Sequence, residues 1–140
     1  MKPPRIVACA IAAGIALGAL LGGCAGYGPG GVAPGQSEAD VARSMGAPTG
    51  RYALPGGATR LEYARGPYGR HTYMIDFDAA GRVARVDQVL NEANFLRVNP
   101  GMTRSDLLLL LGRPGEVFGV RLENAQVWNW RYPTNDCLWF

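Results

Sequence analysis

Apolar and polar positions follow two periods along this chain. At 37–45, Ala39, Val41, Ala42 and Met45 recur at helical spacing and are available to face a core. Ser37 opens that stretch as an N-cap, and Asp40 three residues on puts a carboxylate at the positive helix end. Gly46-Ala47-Pro48 closes it, because glycine takes the left-handed C-terminal conformation and proline cannot continue a helix. The stretch 98–116 repeats the statement: Thr103 as cap, Asp106 as its carboxylate, Leu107 to Leu111 as body, Gly112-Arg113-Pro114 as stop. Pro34-Gly35 precedes the first and Pro100-Gly101 the second. Each matched pair lies 66 positions apart with no gap, Ser37 to Thr103 and Gly46 to Gly112 alike. An ungapped echo of this kind points to a duplicated structural unit.

Between the two helices the period falls to two. Over 60–64, Leu61 and Tyr63 share one face and Arg60 and Glu62 the other; over 71–77, Tyr73, Ile75 and Phe77 oppose Thr72, Met74 and Asp76. Over 82–90, Val83, Val86 and Val89 break strict alternation, which predicts a bulge or an irregular end. The first unit, 37–90, is therefore one helix over a three-stranded antiparallel meander. The second unit, 91–140, is expected to hold a helix at 92–98 and the five-leucine helix. That helix is apolar all round, so it should be buried on more than one side, between two sheets or two units. A strand at 127–132 follows, with Trp128, Trp130 and Tyr132 on one face, then a turn at 134–136. Cys137-Leu138-Trp139-Phe140 opens a further strand. Phe140 answers to Met74, so this second copy is expected to be incomplete, with an apolar edge strand that self-associates or captures a partner strand. The fold class read from the pattern is α+β: two tandem units of one or two helices on a three-stranded antiparallel sheet, the second truncated.

The N-terminus changes the picture of where the domain sits. Lys2 and Arg5 precede an uncharged run from Ile6 to Leu21, and Gly22-Gly23-Cys24 follows. A basic start, a short apolar core and small residues at the cut make a secretory leader over 1–23. The run is shorter than the ~20 apolar residues a stable span needs, which argues against an uncleaved membrane helix. Residues 24–36, rich in glycine and proline, read as a flexible tether. With the leader removed, twelve basic residues face eleven acidic ones, so the +3 of the whole chain leaves no electrostatic footprint for nucleic acid.

Catalytic chemistry finds few candidates. His71, the one histidine, stands at a strand end beside a turn, and no nucleophile motif accompanies it. His71 and Cys137 align across the repeats, but two positions make no zinc site. The glycine-rich stretches lack the lysine and spacing of a phosphate loop. The tryptophans on one strand face fit a core better than a stacking platform. The reading is of a protein that is not an enzyme and holds no cofactor.

The lipobox-like Leu21-Gly22-Gly23-Cys24 resembles that of bacterial lipoproteins, which implies lipidation of Cys24, with palmitate among the acyl chains. Ala25, where inner-membrane retention uses aspartate, implies the outer membrane. Gly101-Met102-Thr103-x-x-Asp106 with Gly112-x-Pro114, followed by Trp130-x-Tyr132, resembles the SmpA/OmlA (BamE-like) family of small outer-membrane lipoproteins. This chain carries the motif twice, with Gly46 and Pro48 in the first copy. The resemblance implies two helices on a three-stranded antiparallel sheet and a lipid-anchored periplasmic protein-interaction module, serving envelope or β-barrel assembly. Partners implied are the membrane, through the anchor, and another protein. Tandem units of this shape also resemble the β-lactamase-inhibitor-protein architecture, which implies the alternative of a periplasmic binder or inhibitor of a soluble enzyme.

Overall fold

Two near-identical helix starts set the frame. The computed structural model describes residues 28–66, 69–121 and 124–133. Helix α1 is Glu38–Met45; after it come β1 (Gly50–Ala53), a short 3-10 turn at Pro55–Gly57, β2 (Thr59–Arg65), β3 (His71–Phe77) and β4 (Val83–Gln88). A single-turn helix α2 (Glu92–Phe95) leads to α3 (Arg104–Leu111), β5 (Glu116–Val120) and β6 (Ala125–Asn129). Ser37 and Thr103 both form complete capping boxes: each hydroxyl accepts from the Asp40 or Asp106 amide, and each aspartate accepts the cap residue's own N–H. Two otherwise orphaned donors are thus satisfied at each start. The stops also match. Gly46 (φ 79°, ψ −158°) and Gly112 (φ 78°, ψ −169°) donate their N–H back to Ala42 and Leu108. The φ is positive as the sequence predicts, but ψ is not left-handed helical. The chain leaves each helix extended, in a region only glycine occupies readily.

The fold is α+β, with an antiparallel four-stranded sheet β1-β2-β3-β4 and a separate two-stranded β5-β6. The pattern predicts three strands in the first sheet; β1 is the addition, paired through Arg51 with Leu61 and Tyr52 with Arg60. Its four residues carry no apolar alternation, so their extended state comes from pairing and not from local preference. The expected irregularity in β4 is present: Asp76 faces Arg85 while Phe77 faces Val83, leaving Ala84 as the extra residue.

Helix α1 lies on one face of the first sheet. Val41 and Met45 pack with Leu61, Tyr63, Ile75, Phe77 and Val83, all buried. Each such side chain stabilises the fold by about 1.5–3 kcal/mol through burial. Ala39 and Ala42, expected to join them, are exposed instead. The predicted tether is shorter than 24–36: Val32 packs on this core, Gly35 donates to the Val83 carbonyl at 2.8 Å, and Val83 donates to that of Gln36 at 2.9 Å. The helix predicted at 92–98 is the single turn α2. Its Phe95 packs with Leu90, Leu110 and Leu111. The strand predicted at 127–132 is displaced to β6, and β5 is a strand the pattern does not predict. Tyr132 lies past β6 and packs tilted against Phe95, with ring centroids 5.1 Å apart. The expected leader 1–23, Cys24, and the strand start at 137–140 lie outside the described residues.

Candidate interaction site: the Gly112 turn on the back of the first sheet

The strand face away from α1 carries polar residues, yet it is not solvated. Glu62 and Thr72 have no exposed surface, and Met74 is buried beside them. The cover is supplied from about fifty residues further on, by the end of α3. A Cβ built on Gly112 would stand 2.9 Å from Thr72 Cγ2, 3.1 Å from Met74 Cε and 3.2 Å from Glu62 Cδ. The backbone thus rests directly on the sheet, at a distance only a glycine allows. The five-leucine run is buried at its end only: Leu110 and Leu111 are buried, while Leu107, Leu108 and Leu109 are half-buried. Its C-terminal end touches the first sheet on one side, and on the other the Trp130 Nε1–H donates to the Gly112 carbonyl at 3.1 Å.

Glu62 is the centre of this contact. Its carboxylate accepts from the Tyr52 hydroxyl at 2.5 Å, the Thr49 hydroxyl at 3.1 Å and the Arg113 amide at 3.3 Å. A buried charge is tolerable only with such satisfaction. Burial, and then the hydrogen bond to Glu62, push the Tyr52 phenol well above its ordinary range, so Tyr52 stays a neutral donor. Next to it Arg60 forms a two-pronged pair with Asp76, at 2.6 and 2.7 Å, and donates to the Leu109 carbonyl at 2.7 Å. The Asp76 carboxylate raises the Arg60 pKa, holding a full positive charge against the negative end of α3. At α1 the counterpart is Arg65, which donates to the Met45 carbonyl at 2.5 Å. Each helix therefore ends on glycine with an arginine of β2 at its last turn.

The motif residues named from sequence divide accordingly. Thr103 and Asp106 build the α3 cap, while Gly112 is placed in the docked turn with Pro114 just after it. Gly101 sits just before the cap at φ 92°, as Gly35 does at φ 86° before Ser37. Gly46 and Pro48 form the same stop after α1, but there a Cβ on Gly46 would meet nothing within 4 Å. Sequence reasoning missed Glu62, Tyr52, Arg60 and Asp76, because polar residues on alternate strand positions read as a wet face. The available signal was the five-leucine run that ends α3, which needs cover on more than one side.

A cleft of about 360 Å³ opens where β4, α2 and α3 meet. Arg60, Arg85, Arg97, Asp87 and Asp106 line it, so both signs of charge are present. Arg85 pairs with Asp87 at 2.5 Å and Arg97 with Asn94 at 3.1 Å, so these groups pair locally instead of converging on one point in the cleft. His71 opens β3, half-buried and paired in register with Arg65. No group of three or more His, Cys, Asp or Glu among the described residues could hold a metal ion. The back of β5-β6 differs from that of the first sheet. In strand register Phe118 and Val127 take the places of Tyr52 and Arg60, and they are 53% and 51% exposed. No family model, curated protein or solved structure matches the chain.

Proposed function

We propose that this chain is a lipid-anchored periplasmic protein-interaction module of the bacterial outer membrane. The observation that carries the reading is Leu21-Gly22-Gly23-Cys24 at the end of a basic-then-apolar leader, followed by a glycine- and proline-rich stretch before the first buried side chain. The Cys24 thiol would accept a diacylglyceryl group from a membrane phospholipid, whose headgroup phosphate leaves, and cleavage ahead of Cys24 would free its amine to take an acyl chain from a second phospholipid. Several chains on one residue hold a protein at a membrane, where one chain binds only marginally. A half-exposed apolar face at Phe118 and Val127 supports binding to protein surfaces.

The same reading takes 37–90 and 91–140 as two copies of one unit. Its support is positional: α3 begins and ends 66 residues after α1, with the same box and the same stop. β5 and β6 likewise begin 66 residues after β1 and β2. The hairpin register then differs by one residue, Gly50 facing Glu62 where Glu116 faces Asn129. That single insertion puts Trp128 and Trp130 on the helix side, where Leu61 and Tyr63 lie in the first copy.

Metabolic labelling with radioactive palmitate tests the anchor. The mature chain should label and partition into detergent, and Cys24→Ser should abolish both. A serine variant that still labels or stays membrane-bound overturns the lipoprotein reading.

A further inference from the structure

One docking surface is used inside the chain, and its two halves recur unused at opposite ends. Inside the chain, α3 presents Ser105, Leu108, Leu109 and Gly112 to the back of the first sheet. Ser105, Leu108 and Leu109 line one shallow pocket with Tyr52, and Gly112 rests on Glu62 and Thr72. The matching positions of α1 are Ala39, Ala42, Arg43 and Gly46, and all four are exposed. Gly46 keeps the Gly-only backbone of Gly112, at φ 79° against 78°, while open space lies where Gly112 meets a sheet. At the other end, the back of β5-β6 offers Phe118 and Val127 in the register positions of Tyr52 and Arg60, about half exposed, and no helix among the described residues lies over them.

The geometry points to head-to-tail association of copies of this chain: α1 and the Gly46-Ala47-Pro48 turn of one copy dock on the back of β5-β6 of the next, as α3 docks on the first sheet. The inference rests on the two-copy reading and is independent of the anchor. The two surfaces are chemically matched. The first sheet meets its helix end with a carboxylate and an arginine. The second has Asn129 and Val127 in those positions and keeps Glu116 opposite Asn129, with Phe118 and Val127 as an apolar patch beside it on the same face. Ala39 and Ala42 give a flat apolar strip suited to it. The ionic groups at its edge are already partnered, Arg131 and Asn129 both donating to Glu116 at 3.2 Å. Arg43, the charged residue among the four α1 positions, is paired with Asp40, so docking brings an ion pair to the face and not a lone charge. Because the two surfaces differ, the contact is heterologous and propagates into chains or rings instead of closing as a two-fold dimer.

The test uses the full chain in mild detergent, in two differently tagged forms, read by co-purification and sedimentation mass. Phe118→Asp spoils only the sheet face and Ala42→Asp only the helix face. Both sites are exposed, and a circular dichroism melt checks each variant. Wild type should give concentration-dependent oligomers beyond the dimer. Neither variant should co-purify with its own kind, at least a tenfold loss, whereas Phe118→Asp mixed with Ala42→Asp should give a one-to-one dimer and nothing larger. Val127→Lys and Ala39→Lys form a second such pair should either first variant melt early. Wild type that stays monomeric overturns the proposal. So does a mixture that forms no dimer, or an Ala42→Asp protein that self-associates as wild type does, which would mean face-to-face pairing. Palmitate labelling of Cys24 is unaffected by any of these results, so failure of one reading leaves the other standing.

Discussion

Alanine at Gly112 and at Gly46 should impose the same backbone strain but very different packing. Both glycines sit near φ 78–79° with an extended ψ. Forcing a side chain into that region costs about 1–3 kcal/mol. At Gly46 nothing lies within 4 Å of the new methyl, so the strain is the whole effect. At Gly112 the methyl meets Thr72 Cγ2 at 2.9 Å, Met74 Cε at 3.1 Å and Glu62 Cδ at 3.2 Å. The Met74 methyl can swing aside. Thr72 and Glu62 are fully buried and hydrogen-bonded, Thr72 to the Gly69 carbonyl, so they cannot retreat without losing partners. Overpacking of this kind adds about 1–3 kcal/mol. Gly112→Ala should therefore lose about 2–6 kcal/mol and Gly46→Ala about 1–3 kcal/mol. Urea denaturation of the two variants in a Cys24→Ser background, fitted with a common slope, measures the difference. Equal losses at the two sites would refute the argument that the Gly112 turn is pressed on the sheet. No loss at either would refute the backbone argument as well.

Two further outcomes follow from the same contacts. Glu62→Ala leaves the Tyr52 hydroxyl, the Thr49 hydroxyl and the Arg113 amide without their acceptor and should cost about 2–4 kcal/mol; Glu62→Gln, which keeps one oxygen in place, should cost roughly half that in the same denaturation assay. Hydrogen bonds from Ser37 and Thr103 hold the Asp40 and Asp106 carboxyls below their ordinary 3.8, so both aspartates favour the folded state above that pH and lose the contribution as pH falls below it. Protection of the amides in the first turns of α1 and α3, taken as the exchange rate relative to the intrinsic rate at each pH, should fall on acidification below pH 3.8, and Asp40→Asn with Asp106→Asn should flatten that dependence; an unchanged acid profile in the double variant would remove the caps as its cause.

Local features of this fold were legible because their causes lie within a few residues. A capping box spans four positions, so Ser37 with Asp40 and Thr103 with Asp106 announce both helix starts outright. Strand alternation over Leu61, Tyr63, Tyr73, Ile75 and Phe77 identifies a sheet face because each side chain needs only its own strand to orient it. Strands β1 and β5 escaped for the complementary reason. Gly50-Arg51-Tyr52-Ala53 has no period, and Val117-Phe118 puts adjacent apolar residues on opposite faces. Their pairing partners, not their own composition, hold them extended.

The candidate site is the extreme case of that dependence on distant chain. Nothing around Glu62 distinguishes a carboxylate in water from one sealed beneath a turn 51 residues ahead. What differs is the helix that does the sealing. α1 can be amphipathic, with Ala39 and Ala42 outward, because that side of it is exposed; α3 runs to five leucines because its end is covered by the first sheet on one side and by Trp130 on the other. Helix composition therefore counts the neighbouring layers. By the same logic the strand faces should report their own covers. Tyr52, Glu62 and Arg60 are specific polar anchors for a helix end that arrives from the same chain, where register is fixed by connection. Phe118 and Val127 sit in the equivalent register with half their surface in water, and the carboxylate beside them, Glu116, is already held by Asn129 and Arg131 of its own sheet end. An apolar pair in that position costs little when the cover is another molecule that comes and goes. A buried carboxylate there would be left uncompensated at every dissociation.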